Sequence, residues 1–268
     1  MWSASKSSNS AFSVKAESFQ MNKIGIIGGS GLDDPRLFED PRDIDMDTPW
    51  GKPSCTLREG LIGGVPVVLM ARHGREHTIP PTQVNYRANI WALKEAGCTH
   101  ILASTAVGSL REEIERGDLI LPDQFIDFTR SRKLSYFEEF QPHAPVHTAM
   151  AEPFDAGLRA IMKEELEGMG VRFHEQGTVV TIEGPRFSTR AESRMFRSWG
   201  ADIINMSIAT EAIMANEQGI PYAAVAMSTD YDSWKEDDVV TWEAILAVAQ
   251  ANAEKVLTLF TRVIPRLG

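Results

Sequence analysis

From Lys23 onward, short runs of β-forming apolar residues alternate with runs of helical periodicity, and this alternation constrains the fold more than any other feature. Several of the apolar runs lack polar alternation, as do strands that are covered on both faces. We therefore predict an α/β protein with a mostly parallel sheet flanked by helices. The predicted strands cover residues 23–28, 65–71, 99–105, 118–122, 177–184, 201–206 and 221–227.

Amphipathic segments separate these strands. Val84, Ala88 and Trp91 stand at i, i+4 and i+7 and lead to Gly97, which is the pattern of a helix with a C-terminal glycine. Residues 129–149 carry no clear period, and we predict a long loop there, of the kind that is usually functional or mobile. The remaining predicted helices cover residues 190–200, 208–219 and 241–262, the last with Thr241 as its N-cap.

Size, charge and cysteine content narrow the functional classes. The 268 residues, 43% of them hydrophobic, suit one domain, which we assign to residues 21–268, after a serine-rich flexible extension at residues 1–20. The excess of 37 Asp and Glu over 27 Lys and Arg argues against binding to nucleic acid or to anionic membrane surfaces. No apolar run is long enough for a membrane span. Cys55 and Cys98 form neither a metal nor a disulfide pattern, which favours a reducing, cytoplasmic setting.

Two carboxylates, Asp230 and Asp232, follow the last predicted strand. In an open α/β sheet, ligands bind outside the carboxyl ends of the strands, so Asp230 is a candidate for a ligand pocket. Taken alone, an Asp at this place is more often a turn former or a helix cap. Its interpretation therefore depends on the other strand ends.

Those strand ends carry small, hydroxyl-bearing or basic residues. Ser30 lies in a glycine turn over residues 28–34, which matches neither a dinucleotide fingerprint nor a nucleophile elbow and fits a tight turn or a phosphate turn equally well. Arg72 and His73 follow the second main strand and suit phosphate, Arg72 through its planar fork of donors and His73 by adding a donor or a charge. Further strands end near Thr105, Ala106 and Ser207. This convergence on one edge of the sheet predicts a single ligand site.

The histidine spacing does not predict a metal site. His73 and His77 are four residues apart, but Gly74 between them and the prolines at positions 80 and 81 argue against a metal-binding helix.

Long stretches of the sequence, in order, carry a family resemblance: "IGIIGGSGLDDP", "ARHGREHTIPPTQVNYRANIWALKEAGCTHILASTAVGSLR", "DQFIDFT", "TIEGPRFSTRAESRMFRSWGADIINM" and "STDYDSWK". From about residue 22 to the C-terminus, the chain resembles the trimeric purine nucleoside phosphorylase family, and within it the branch that acts on 5′-methylthioadenosine. The resemblance implies a single-domain nucleoside phosphorylase fold with a twisted, mixed, mostly parallel sheet. It also implies phosphorolysis to adenine and 5-methylthioribose 1-phosphate by a homotrimer, with inorganic phosphate as co-substrate and no cofactor.

The same resemblance implies roles for individual residues. Met206 would pack under the ribose, and Phe187 would lie against the base. Asp230, helped by Asp232, would face the N7 and 6-amino edge of adenine, and His147 of the long loop would reach the site of a neighbouring subunit. The implied phosphate ligands are Ser30, Arg72, His73, Thr105, Ala106 and Ser207.

The resemblance also bears on which purine base is preferred, through positions 188 and 230. Members that prefer 6-oxopurines carry Glu and Asn where this chain has Ser188 and Asp230. A carboxyl group accepts from a 6-amino group and, when protonated, donates to N7, so 6-aminopurines are favoured. The alternatives are a phosphorylase that prefers 6-oxopurine nucleosides or methylthioinosine, a hydrolytic nucleosidase, and a nucleoside-binding protein without activity.

Three positions depart from the family pattern. Thr210 replaces the usual proline, and Ser207 stands where the methylthioadenosine branch commonly has Thr; both lie near the implied phosphate site. Trp242, in the last helix, replaces a smaller aliphatic residue beside the 5′ substituent. This ring is expected either to narrow the methylthio pocket or to rotate into the core.

Overall fold

The computed structural model describes residues 21–28, 38–238 and 241–268, without the side chains of Trp242 and Ala244. The prediction for Ser30 and the predicted extension at residues 1–20 therefore lie outside the described residues. None of the described helices combines the length and the apolar character needed to cross a bilayer.

The described residues form eleven strands and five α-helices. The strands are β1 (Ile24–Gly28), β2 (Glu39–Ile44), β3 (Leu57–Ile62), β4 (Val65–Ala71), β5 (His100–Ser109), β6 (Leu119–Ile120), β7 (Gln124–Phe128), β8 (Phe173–His174), β9 (Thr178–Ile182), β10 (Ile203–Asn205) and β11 (Tyr222–Asp230). The helices are α1 (Tyr86–Glu95), α2 (Ala156–Met169), α3 (Arg190–Ser198), α4 (Ile208–Glu217) and α5 (Trp242–Val263).

One mixed sheet contains all the described strands. Its main path runs β2-β3-β4-β1-β5-β10-β9-β7, while β11 pairs with both β5 and β6, and β6 pairs with β8. The pairs β1–β4, β1–β5, β5–β11, β6–β8, β7–β9 and β9–β10 are parallel, and the other four are antiparallel. The expected mixed, mostly parallel sheet flanked by helices is confirmed.

Strand β5 organises the sheet around one opening. It pairs in parallel with β1 at residues 100–103 and antiparallel with β10 at Gly108 and Ser109. The cavity described below opens where β5 leaves β1 and meets β10, and residues 105–108 of β5 line it. Because β10 runs antiparallel to β5, its carboxyl end reaches this opening from the opposite side.

Helices cover both faces of the sheet. One buried cluster joins the strands to α1 and α4, and a second joins them to α2 and α5. Within β1, Ile27 belongs to the first cluster, whereas Ile24 and Ile26 belong to the second. Burial on both faces explains why these strands are continuous apolar runs in the sequence.

The predicted elements are found in the structure. The seven predicted strands correspond to β1, β4, β5, β6, β9, β10 and β11, and the four predicted helices to α1, α3, α4 and α5. Thr241 directly precedes α5, and its carbonyl accepts a hydrogen bond from the Ile245 amide. Residues 129–149 are irregular apart from an isolated bridge between Gln141 and Ala144, as predicted for a loop.

Other elements were not predicted. Helix α2 has a cap at each end, since the Asp155 side chain accepts from the Leu158 amide and Gly170 adopts φ 64°; both signals are visible in the sequence. Strand β2 contains Pro41 and is almost entirely exposed, so it has no hydrophobic pattern to detect. β3, β7 and β8 were also missed.

Candidate active site

A cavity of about 420 Å³ opens where β4, β5, β10 and β11 approach each other. Strands β4, β5 and β11 bring their carboxyl-end residues from one side, and the segment after β10 brings its residues from the other. Helix α5 closes the cavity with Ile245, Leu246 and Ala249. Most residues that were expected to form one site do line this one cavity: Arg72, His73, Thr105, Ala106, Phe187, Ser188, Met206, Ser207, Asp230 and Asp232.

Arg72 lies at the end of β4 with only 2% of its surface exposed. Its Nε and Nη2 donate to the two carboxylate oxygens of Glu211 at 2.5 and 2.9 Å, and Nη1 donates to the Ser104 carbonyl at 2.9 Å. The Tyr222 hydroxyl donates to Glu211 at 2.7 Å. Burial alone would favour neutral Arg72, but Glu211 holds the pKa of Arg72 above its usual value. The guanidinium is thus charged, fixed in direction, and left with one further N–H on each terminal nitrogen.

His73 is held in one tautomer. Its Nδ1 lies 2.8 Å from the Ile79 carbonyl, and because a carbonyl only accepts, Nδ1 carries the proton. Burial and the neighbouring Arg72 lower the pKa of His73 to about 4, so the ring is neutral at pH 7. The His77 ring stacks on it with centroids 4.6 Å apart. The neutral ring leaves Nε2 as an acceptor, so the expectation that His73 adds a donor or a charge is wrong; an acceptor suits the hydroxyl of hydrogen phosphate.

Asn205, the last residue of β10, forms hydrogen bonds to threonine hydroxyl groups of the two neighbouring strands, β5 and β9. Its Nδ2 donates to the Thr105 hydroxyl at 3.2 Å, and its Oδ1 accepts from the Thr181 hydroxyl at 2.8 Å. Ser207 follows as the N-cap residue of α4, yet its side chain makes no capping hydrogen bond. Thr105, Ala106 and Ser207 line the cavity as expected, and Asn205 lines it as well but was not predicted from the sequence.

Asp230 ends β11 at the other end of the cavity and is 5% exposed. Its Oδ1 accepts from the Asp232 amide and its Oδ2 lies against the Thr229 hydroxyl, both at 2.8 Å. The pKa of Asp230 is raised to about 6, mainly by burial and to a smaller extent by the negative charge of Asp232, while the two hydrogen bonds oppose the rise. Asp230 can therefore hold a proton near neutral pH.

Asp232 is the second buried carboxyl group and is oriented by Ser188. The Ser188 hydroxyl donates to Asp232 Oδ2 at 2.5 Å. Asp232 adopts φ 49°, in the left-handed region, and its amide donates to Asp230. Gly108 lies close to both acids, and a Cβ there would come 2.9 Å from Asp230 Oδ1, so only glycine leaves room for the pair.

The walls between the two ends are mainly apolar. Phe187 stands at the mouth, 40% exposed, and the Met206 carbonyl accepts from the Tyr86 hydroxyl at 3.2 Å. Trp242 is the first residue of α5, one turn before Ile245, but its side chain is outside the described part of the structure. His147 is exposed on the long loop and does not line the cavity of its own chain.

Arg132, in the long loop, supports the walls from behind and was not predicted. Its side chain is 2% exposed and its Nε pairs with Glu183 at 3.0 Å. The same guanidinium donates to the Glu183 carbonyl, the Tyr86 hydroxyl and the Thr210 hydroxyl. This contact gives the Thr210 side chain, which departs from the family proline, a hydrogen-bonding role. No periodicity marks Arg132, because its partners are distant in the sequence.

Comparisons with known proteins agree with this geometry. Residues 23–265 match the model of the phosphorylase superfamily. The S-methyl-5′-thioadenosine phosphorylases of Danio rerio and Xenopus tropicalis are 53% and 51% identical to this chain, over 91% and 92% of it and 89% of each relative. Methylthioadenosine phosphorylase from Schistosoma mansoni in complex with adenine superposes with a TM-score of 0.87 at 40% identity, covering 92% of both chains. A mutant of the Schistosoma adenosine/methylthioadenosine phosphorylase in complex with methylthioadenosine gives 0.86 at 39% identity and the same coverage. The chain therefore belongs to the S-methyl-5′-thioadenosine phosphorylase family of the phosphorylase superfamily.

Proposed function

We propose that this chain catalyses the phosphorolysis of 5′-methylthioadenosine, with inorganic phosphate, to adenine and 5-methylthioribose 1-phosphate. One observation carries the proposal: a single cavity holds a buried, charged arginine at one end and a buried, protonatable carboxyl group at the other. A phosphorolytic cleavage needs both, since phosphate is an anion and adenine leaves poorly as one. The activity named for the relatives supports the same reaction.

At the base end, Asp230 acts as the general acid. As the bond between ribose C1′ and purine N9 breaks, the electron pair moves into the purine ring, and Asp230 transfers its proton to N7. The other oxygen of Asp230 accepts from the 6-amino group. Asp232, oriented by Ser188, favours the protonated form of Asp230 through its negative charge.

At the other end, phosphate attacks C1′ from beneath the ribose. Arg72 supplies the charge and direction, and the sugar gains positive character that the phosphate stabilises. The phosphate oxygen forms the ester bond, and the proton of hydrogen phosphate is released, which balances the proton taken up by adenine. The proposed phosphate ligands are Ser30, Arg72, His73, Thr105, Ala106 and Ser207.

The nucleoside would span the apolar middle of the cavity. In this arrangement Met206 packs under the ribose and Phe187 lies against the base, and the family resemblance assigns position 242 to the region of the 5′ substituent. Base preference depends on Ser188 and Asp230. The Ser188 hydroxyl is committed to a carboxylate rather than to a purine carbonyl, which favours 6-amino over 6-oxo bases.

The assembly and setting extend the proposal. We propose a homotrimer in which the long loop carries His147 to a neighbouring site. In support, Phe140 and Val146 of that loop expose 48% and 43% of their surface, a large amount for apolar side chains. We further propose one catalytic domain over residues 21–268. The enzyme would act in the cytoplasm, the setting favoured by its low cysteine content, without a metal or cofactor.

The experiment is to measure base release from 5′-methylthioadenosine with and without phosphate, alongside adenosine, inosine and methylthioinosine. The proposal predicts release that requires phosphate and is confined to the 6-amino nucleosides. Release without phosphate would indicate a nucleosidase, and preference for inosine or methylthioinosine would indicate a 6-oxopurine enzyme. Binding without turnover would indicate a nucleoside-binding protein. The rate ratio of methylthioadenosine to adenosine reports the influence of Trp242.

A further inference from the structure

Thr229, the residue before Asp230, occupies an irregular place in β11. Ser228 pairs with Val107 of β5 and Asp230 pairs with Gly108, so Thr229 is an extra residue in the ladder, a β-bulge. In a regular strand, neighbouring side chains point to opposite faces. Here Thr229 and Asp230 both line the cavity, and their side-chain oxygens are 2.8 Å apart. The bulge therefore places a hydroxyl group directly on the carboxyl group of the proposed acid.

The Thr229 hydroxyl has two partners but one hydrogen. It lies 2.8 Å from Asp230 Oδ2 and 3.1 Å from the Val107 carbonyl. A carbonyl only accepts, so when Asp230 is protonated at Oδ2, the carboxyl group donates to Thr229 and Thr229 donates to Val107. When Asp230 is ionised, the hydroxyl turns and donates to Oδ2. Both protonation states are hydrogen-bonded, with Thr229 1% exposed.

The other oxygen of Asp230, Oδ1, has no partner that can both donate and accept. Oδ1 accepts from the Asp232 amide, which only donates. Oδ2 is thus the oxygen whose hydrogen-bonding partner suits either state. The transferable proton is best held there.

We propose that Thr229 is a two-position hydroxyl that stabilises the Asp230 carboxylate as its proton passes to the purine. The proposal rests on the proposed function, because it assigns Thr229 a part in the same proton transfer. When the purine binds, Oδ2–H turns from Thr229 and donates to purine N7, while Thr229 still donates to the Val107 carbonyl. As the C1′–N9 bond breaks and N7 gains the proton, Thr229 rotates and donates to Oδ2. Release of adenine and uptake of a proton from solvent restore the first state.

The charged groups around Asp230 do not replace this hydroxyl. Asp232 adds a like charge from the segment after β11, and Arg116, which forms an ion pair with Asp238, acts from the segment before β6. Gly108 of β5, which lies beside Asp230, and Ile204 of β10, which lies beside Gly108, carry no charge. Thr229 is therefore the side chain that donates to the ionised oxygen.

The test compares Thr229→Val, which keeps the shape and removes the hydroxyl, with Thr229→Ser, which keeps the hydroxyl. We expect Thr229→Val to lower kcat for 5′-methylthioadenosine about tenfold, the scale of a hydrogen bond to a charged group. The basic limb of kcat/KM should move to higher pH, because the hydroxyl makes Asp230 a stronger acid. Thr229→Ser should stay within about threefold of wild type. Thr258→Val, at an exposed threonine of α5, is the matched control and should change nothing.

A double variant separates this role from a structural one. In an Asp230→Asn background, Thr229→Val should cause no further loss of kcat, because the hydroxyl acts through the acid. Three results would overturn the proposal: a further tenfold loss of kcat when Thr229→Val is added to Asp230→Asn, a basic limb of kcat/KM that does not move in Thr229→Val, or a wild-type kcat for Thr229→Val. If Thr229→Val does not fold, Thr229→Ala takes its place. If Asp230→Asn is itself as fast as wild type, the acid assignment fails and this proposal falls with it. A slow Asp230→Asn beside a fast Thr229→Val overturns the Thr229 role alone.

Discussion

The two ends of the cavity each bury an ionisable side chain, but with opposite results. Arg72 meets Glu211 through two hydrogen bonds and remains charged. Asp230 accepts its two hydrogen bonds from neutral donors, the Thr229 hydroxyl and the Asp232 amide, and its pKa rises to about 6. Burial disfavours charge at both ends, so the partner decides whether the group stays charged or takes up a proton. One end can thus hold an anion while the other delivers a proton.

Replacing the proposed acid, Asp230, should have the largest effect on catalysis. Asp230→Asn should lower kcat for 5′-methylthioadenosine by roughly 10² to 10⁴, the range for a lost general acid. Asn resembles the protonated carboxyl group in shape and hydrogen bonding, so the fold should persist. Steady-state kinetics at saturating phosphate give the value. A loss smaller than tenfold would remove Asp230 from this role.

A substitution of Arg72, at the phosphate end of the cavity, should change KM for phosphate. Arg72→Lys keeps a positive charge but not the planar fork that reaches Glu211, Ser104 and a ligand together. We expect KM for phosphate to rise roughly 10- to 100-fold, equivalent to one charge-assisted hydrogen bond, with little change in KM for the nucleoside. Arg75→Lys, at the Asp43 ion pair near the surface, is the control. Equal changes in both KM values would contradict the assignment of Arg72 to phosphate.

The raised pKa of Asp230 should also make the free energy of unfolding depend on pH, which is a smaller effect. The folded-state pKa of Asp230 is about 6 against a usual 3.8, so the stability gained from its protonated form is lost as the pH rises through about 6. Asp230→Asn lacks this loss. Relative to wild type, its free energy of unfolding should gain about 1 to 2 kcal/mol between pH 5 and pH 8. Denaturant unfolding at the two pH values measures the gain, and a difference that is constant with pH would count against a raised pKa.

The sequence predicts the charged residues at the two ends of the cavity better than it predicts the residues that position them. Arg72 and Asp230 follow recognisable apolar strands, so their convergence on one sheet edge can be foreseen. Glu211 lies 139 residues from Arg72, and their pairing depends on how α4 packs against the sheet. Arg132 has no signal for the same reason: its partners come from three separate segments. The bulge at Thr229 depends on the register of β11 against β5, which apolar periodicity does not specify.

The most direct measurement is kcat/KM for 5′-methylthioadenosine against pH, for wild type and for Asp230→Asn. The acid assignment predicts a basic limb in wild type with a midpoint near the Asp230 pKa of about 6, because kcat/KM reports the free enzyme and the ionised acid has no proton to give. In Asp230→Asn that limb should be absent from a much lower profile. If both proteins show the same basic limb, the group that titrates is not Asp230, and the contrast between the two ends of the cavity does not explain catalysis.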